Sequence, residues 1–236
     1  MKIRAAFGIT LFGICLLGSY FLLRGTWTEL DTAVFYFFND KLVPGSLFLD
    51  VTAYTNKRAF DVISFTAMGL LYWYYFRRKD NQGRRTMICL GVCMLLAGIV
   101  IKQCGNVLPI AHPSPTYTFE GVNRLTKLTD IVTKDASRNS FPGDHGMMLM
   151  IFAGFMARYF GKRAFALAAL FVVVFSLPRI MSGAHWFSDI YMGSLAIACM
   201  TLSWFLLTPA SDSCAGRLER FLPAWFFPPN GRGMFR

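Results

Sequence analysis

Long apolar runs, broken by short polar stretches, dominate the chain. Six of them approach the ~20 apolar residues that a helix needs to cross ~30 Å of hydrocarbon. They cover residues 5–23, 60–76, 86–101, 145–160, 164–181 and 190–207. The third and fourth are short and must borrow polar flanking residues at their ends. The pattern predicts an all-α integral membrane fold, a single six-helix transmembrane bundle spanning residues 1–236. The intervening stretches 24–59, 102–144 and 182–189 then fall on one side of the membrane as loops. Within the first, Leu30, Val34, Phe37 and Phe38 recur at helical spacing, which suits a helix lying flat in the interface.

Composition agrees with this reading. Hydrophobic residues make up 55% of the chain, charged residues only 16%, and 24 residues are Phe. A soluble domain would carry about a quarter charged residues. The net charge of +11 raises the question of nucleic acid. Many of the basic residues flank apolar runs, where they face lipid headgroups, and no zinc-finger spacing, RNA-binding signature or basic helix is present. A nucleic-acid partner is therefore not expected, and no protein partner is implied.

The distribution of Lys and Arg orients the bundle. Lys2 and Arg4, the run Arg77–Arg85, the turn with Arg158, Lys162 and Arg163, and a tail with Arg217, Arg220, Arg232 and Arg236 share one side. Excess Lys and Arg in short loops marks the cytoplasmic face, so both termini are expected there. The first run lacks a small-x-small cleavage site and is longer than a usual signal-peptide core, so it is expected to remain as a span. Cys15, Cys89, Cys93, Cys104, Cys199 and Cys214 are scattered, which fits packing rather than a disulfide framework or a metal knuckle.

All three histidines, His112, His145 and His185, fall on the face opposite the basic loops. His185 and Asp189 are four apart, which on a helix places both on one face. The carboxylate is then suited to accept from the imidazole N–H that is not attacking, as a nucleophilic histidine requires. Arg179, six residues earlier, carries the fork geometry for phosphate oxygens. Pro142 and Gly143 begin the fourth run and aim free N–H groups and a positive helix end at an anion. His145, at that same start, is placed to protonate a departing oxygen. Asp144 is expected to cap this helix. A single His at a helix end more often caps or anchors, and His-x3-Asp also suits metal, but no third and fourth ligand has supporting spacing. The joint pattern of Pro-Gly-Asp-His followed by Arg-x5-His-x3-Asp is much harder to produce by accident.

That pair of patterns resembles the type 2 phosphatidic acid phosphatase superfamily, whose signatures are Lys-x6-Arg-Pro, Pro-Ser-Gly-His and Ser-Arg-x5-His-x3-Asp. The third is matched by Arg179, His185 and Asp189, with Pro178 in place of Ser, and the second by Pro142 and His145. The resemblance implies His185 as nucleophile, Asp189 as its orienting partner, His145 as general acid and Arg179 as phosphate binder. It further implies a six-helix fold, no metal or other cofactor, and a site facing the periplasm of a bacterial inner membrane. Gly143 and Asp144 replace the Ser-Gly of the second signature. The first is degenerate: Lys102 is present, but no Arg-Pro follows at the expected spacing, and the nearest match is His112-Pro113-Ser114-Pro115, with His in place of the Arg. The missing cationic work then falls to Lys102, Arg138 and Lys134. Residues 35–39, 55–61 and 133–148 and the run Gly183–Phe187 resemble a lipid A phosphotransferase branch of the superfamily. That likeness implies undecaprenyl diphosphate as donor and the 1-phosphate of lipid A as acceptor. Water as acceptor, which would make the chain a lipid phosphate phosphatase, uses the same phospho-enzyme. A small transporter would place ionisable residues near the membrane midplane, and here the spans carry few.

Overall fold

The computed structural model describes residues 2–106, 110, 112–223 and 227; Arg232, Arg236 and most of the aromatic tail lie outside them. Among the described residues there are helices and no strand. In chain order these are α1 (Ile3–Leu22), α2 (Arg24–Asn39), α3 (Leu47–Thr55), α4 (Arg58–Phe76), α5 (Asn81–Asn106), the short α6 (Pro115–Thr118) and α7 (Leu125–Leu128), α8 (Asp144–Phe160) and α9 (Lys162–Met181). A π-helical turn, Asp189–Ser194, then runs directly into α10 (Leu195–Leu207), and α11 (Ala210–Glu219) follows.

Each apolar run lies within one helix to within a few residues. α5 extends furthest beyond its run, winding Asn81–Arg85 and Lys102–Asn106 into its ends. Four helical segments, Ile3–Leu22, Asn81–Gln103, Lys162–Met181 and Asp189–Leu207, are long and apolar enough to cross a membrane. α4 starts with Arg58, Asp61 and Ser64, and α8 has only 17 residues, about 25 Å at 1.5 Å per residue.

The stretch 24–59 is largely helical rather than a loop, containing α2 and α3. α2 forms where the apolar spacing predicts a helix, but its face is split. Val34 and Phe38 pack against the core, while Leu30 and Phe37 are exposed. The buried seam is Asp31, Phe35 and Asn39.

α8 is the central helix. Met147, Leu149, Ile151, Phe152, Phe155 and Met156 are all buried, so it is enclosed around its circumference. It packs along α9, α10 and α5, while α1 packs along α10. Close approach relies on small residues, as between membrane helices generally. A Cβ on Gly154 would stand 2.6 Å from Leu202, and one on Gly146 2.6 Å from Ile190. The outward faces carry exposed Phe7, Phe12, Val62, Ile63, Leu95, Ile99 and Leu170, which only an apolar surrounding would accommodate at this density. Cys89 and Cys93 are buried in the core, in line with a packing role.

At one end of the bundle the basic stretches meet. Arg158 pairs with Asp212 at 3.0 Å. The buried Arg85 donates to the Pro223 and Leu222 carbonyls at 2.9 and 3.0 Å. The opposite end is closed by residues 112–140. There the buried Asp135 accepts from Arg124, the Thr126 N–H and the Thr126 hydroxyl. Thr116 donates to the Gly183 carbonyl through its hydroxyl at 3.0 Å, and the Trp186 indole donates to the Pro113 carbonyl at 2.6 Å. From α2, Asp31 accepts from both the N–H and the hydroxyl of Ser188, fixing the corner that leads into the π-helical turn. Burial pushes the Asp31 carboxyl up to about 6, with Asp189 adding to the rise and the Ser188 bonds opposing it.

Two outcomes follow from this corner. Gly183 has φ +73°, and a Cβ there would stand 2.6 Å from Thr116 and 2.8 Å from Phe35. Gly183→Ala is expected to cost about 2–4 kcal/mol from left-handed strain plus overpacking, read as a lower Tm in detergent; an unchanged Tm would show that the corner is not constrained. Because the folded pKa of Asp31 lies above its unfolded value, its contribution to stability is present below pH ~4 and lost as pH rises through about 6. The Tm of Asp31→Asn relative to the unaltered chain should therefore rise between pH 4 and 7, and a pH-independent difference would contradict the burial argument.

Candidate active site

The histidine end of the bundle gathers the start of α4, the segment before α8, the start of α8, the end of α9 and the turn before α10. Arg179 lies at its centre. The residue is 6% exposed, and its guanidinium forks onto Asn56 Oδ1 at 2.5 Å and Asp61 Oδ1 at 2.6 Å. His145 Nε2 stands 3.2 Å from the same guanidinium and 3.1 Å from Asp61 Oδ1. A guanidinium only donates and a carboxylate only accepts, so the proton on Nε2 decides which contact forms. With it, His145 donates to Asp61; without it, His145 accepts from Arg179.

The backbone of Arg179 orders the other histidine. Its carbonyl accepts from the N–H groups of Ala184 and His185, both at 3.1 Å, so one residue touches both imidazole-bearing positions. His185 lies in the turn before the helix and not on it, because helical structure begins only at residue 187. Its Nδ1 donates to the Ser140 carbonyl at 2.9 Å and stands 3.5 Å from Asp189 Oδ2. The expected one-face stacking of His185 and Asp189 is thus replaced by a longer, bent approach.

Asp189 has no solvent exposure, and its donors are mostly other than expected. Oδ2 accepts from the Trp186 N–H at 2.9 Å, an acid in the first helical turn reaching back three residues as in a capping box. Oδ1 accepts from His112 Nδ1 at 2.8 Å, a tighter contact than the one to His185. The π-helical turn follows from the same position. Ser194 donates to the carbonyls of Gly143 and Asp189 at 2.9 and 3.1 Å, and the Gly143 N–H donates to the Asp189 carbonyl at 3.1 Å. These bonds tie the start of α8 to the start of the last long helix. π-helical turns are frequent at functional sites.

The expected phosphate binders are placed unequally. Gly143 has its N–H engaged by Asp189, and a Cβ there would stand 2.7 Å from Ile190, so its small size serves helix approach. Lys102 is taken up by Asp144, Nζ to Oδ2 at 2.7 Å. Asp144 makes no capping bond: Gly143 is the N-cap, with no side-chain acceptor, and Asp144 is the first helical residue. Lys134 and Arg138 are exposed, and Arg138 is two residues from the carbonyl that holds His185.

Sequence reasoning missed Asp61 and Asn56 as site residues. An acid in the first turn of an apolar run was the available signal, since ionisable groups there are expensive and need a partner. Asp61, Asp144 and His145 also line a pocket of about 130 Å³ walled by Phe60, Phe65, Met68 and Phe175, polar at one end and apolar along its sides. A larger cavity of about 710 Å³ lies between α1, α8, α9 and α10, and none of the histidines lines it.

An arginine, two histidines and a buried carboxylate in this arrangement suit phosphoryl transfer. Comparison with known proteins agrees. The lipid A 1-diphosphate synthase of Escherichia coli (strain K12) is 48% identical over 201 residues, covering 85% of this chain and 85% of that protein. No solved structure matches the chain significantly. Residues 109–212, which hold His112, His145, Arg179, His185 and Asp189, match the PAP2 superfamily, and the chain belongs to that superfamily.

Proposed function

We propose that the chain moves a phosphoryl group from undecaprenyl diphosphate to the 1-phosphate of lipid A through a phosphohistidine at His185. The products are lipid A 1-diphosphate and undecaprenyl phosphate. The observation that carries this reading is the meeting of His145 and His185 across Arg179 at one end of an apolar bundle. The E. coli relative, a lipid A 1-diphosphate synthase, supplies the acceptor class.

With Nδ1 of His185 directed to the Ser140 carbonyl, Nε2 is the attacking atom. It forms a bond to the terminal phosphorus of the donor as the bridging P–O bond breaks. Arg179 binds the equatorial oxygens, with Lys134 and Arg138 as further cations from the covering segment and Lys102 acting through its pair with Asp144. His145 delivers its Nε2 proton to the leaving oxygen. An oxygen of the lipid A 1-phosphate then attacks phosphorus and gives its proton to Nε2 of His145 as the P–N bond breaks, so that both histidines are restored. Asp189 stabilises the imidazolium character that His185 acquires in between. Most of the gain comes from position and charge, as in phosphoryl transfer generally.

All six apolar helices serve as spans in this reading, with α4 and α8 using interfacial side chains at their ends. Basic loops and both termini face the cytoplasm by the positive-inside rule. The site then faces the periplasm of a bacterial inner membrane, where both anionic lipids reach it laterally.

His185→Ala is expected to abolish transfer and the acid-labile protein label left by a phosphorus-labelled donor; wild-type turnover in that variant would remove the nucleophile assignment. The label should appear in lipid A 1-diphosphate, and inorganic phosphate as the main product would make the chain a phosphatase. Activity should survive EDTA, since no residue role above calls on a metal; complete loss, restored by a divalent cation, would contradict the mechanism.

A further inference from the structure

We infer that His112 is a positioning residue for this reaction, holding Asp189 as an anion and fixing the ring of His185 by two routes. The inference rests on the reading of His185 as nucleophile. It starts from a solvation problem. A carboxylate with no access to water must find its donors within the protein, or it takes a proton and ceases to be an anion. The shortest side-chain donor to Asp189 is His112 Nδ1, at 2.8 Å from Oδ1.

The tautomer of His112 follows from its neighbours. Asp189 only accepts, so Nδ1 carries the proton. In the neutral ring Nε2 is then an acceptor, and the Tyr20 hydroxyl stands 3.3 Å from it. The ring lies nearly parallel to Trp186, centroids 5.5 Å apart at 23°. Both nitrogens of His112 are therefore engaged by protein groups, which leaves none to face a phosphate.

A second route runs through the backbone. The His112 carbonyl accepts from the Ser140 N–H and from the Ser140 hydroxyl, both at 2.8 Å. The Ser140 carbonyl in turn receives His185 Nδ1 at 2.9 Å. His112 thus anchors both acceptors that the Nδ1–H of His185 faces, the Ser140 carbonyl and the Asp189 carboxylate. When phosphorus bonds to Nε2, the ring becomes cationic and the demand on those acceptors rises. His112-Pro113 is the nearest match to the Arg-Pro of the superfamily signature, and its imidazole supports the nucleophile instead of meeting the substrate.

The full-length protein in detergent, with labelled undecaprenyl diphosphate and lipid A, tests this through His112→Ala, His112→Asn, His112→Arg and Tyr20→Phe. An Asn amide can occupy the place of Nδ1–H and donate to Asp189, whereas Arg brings a cation suited to phosphate. His112→Ala is expected to lower kcat and the single-turnover rate of phosphohistidine formation by about 10²-fold, with KM within a factor of ~2. Asn should recover about tenfold of that loss and Arg none, and Tyr20→Phe should lower kcat by a smaller factor at unchanged KM. A raised KM with kcat preserved, or recovery by Arg but not by Asn, would make His112 a phosphate binder and overturn the inference. Should His112→Ala not fold, the contrast between Asn and Arg decides alone. Phosphohistidine in the unaltered protein beside an unimpaired His112→Ala overturns only this inference; turnover without any phosphohistidine overturns the proposed function.

Discussion

A carboxylate shut away from water at the end of an apolar bundle constrains everything around it. Asp189 has no exposure, so each of its lone pairs depends on a donor that some other part of the chain must bring. The Trp186 N–H comes from the adjacent turn, and His112 from 77 residues away. His112 is delivered by the covering segment, which is itself organised around the buried Asp135 and tied to Gly183. Asp31 of α2 steadies Ser188 next to Asp189. The backbone carbonyl of Asp189 receives Gly143, which draws α8 to its place. Much of the architecture at this end can be read as the means of keeping one buried anion satisfied.

The second carboxylate, Asp61, is in a different position. Its side chain is 28% exposed beside a pocket lined by α4, the start of α8 and Phe175 of α9, and it is the anion that Arg179 and His145 share. A lipid phosphate would approach the same two groups. Exchange of one anion for another requires no new charge to be buried, so binding need not carry the full desolvation penalty of an isolated phosphate. Asp189 lies behind the proposed nucleophile and stays ionised; Asp61 lies in front and can yield its partners. The two carboxylates owe their different duties to burial.

Much of the helical framework was legible because apolar length is a strong signal. The six runs match α1, α4, α5, α8, α9 and α10, with the ends adjusted where polar residues continue the winding. The site was legible in part. The Arg-x5-His-x3-Asp pattern singles out Arg179, His185 and Asp189, which the structure brings together at one end, but the partners were not readable from spacing. The i,i+4 rule presumes a regular helix, whereas His185 precedes the helix and Asp189 opens a π-helical turn. Long-range pairs such as His112 with Asp189, or Asp61 with Arg179, leave no local trace beyond the presence of a polar residue where one is costly. Gly143 reads as an anion nest until the approach of Ile190 is known, and Asp144 reads as a cap until Lys102 is found beside it.

The most direct measurement of the central claim is the regiochemistry of the phospho-enzyme. Donor alone, without acceptor lipid, should accumulate phosphohistidine, and ³¹P NMR with peptide mass spectrometry then identifies residue and ring nitrogen. Because the Ser140 carbonyl and Asp189 hold Nδ1, phosphorus is predicted on Nε2 of His185. Phosphate on Nδ1 of that ring, or on any other residue, would contradict the arrangement from which the mechanism is built.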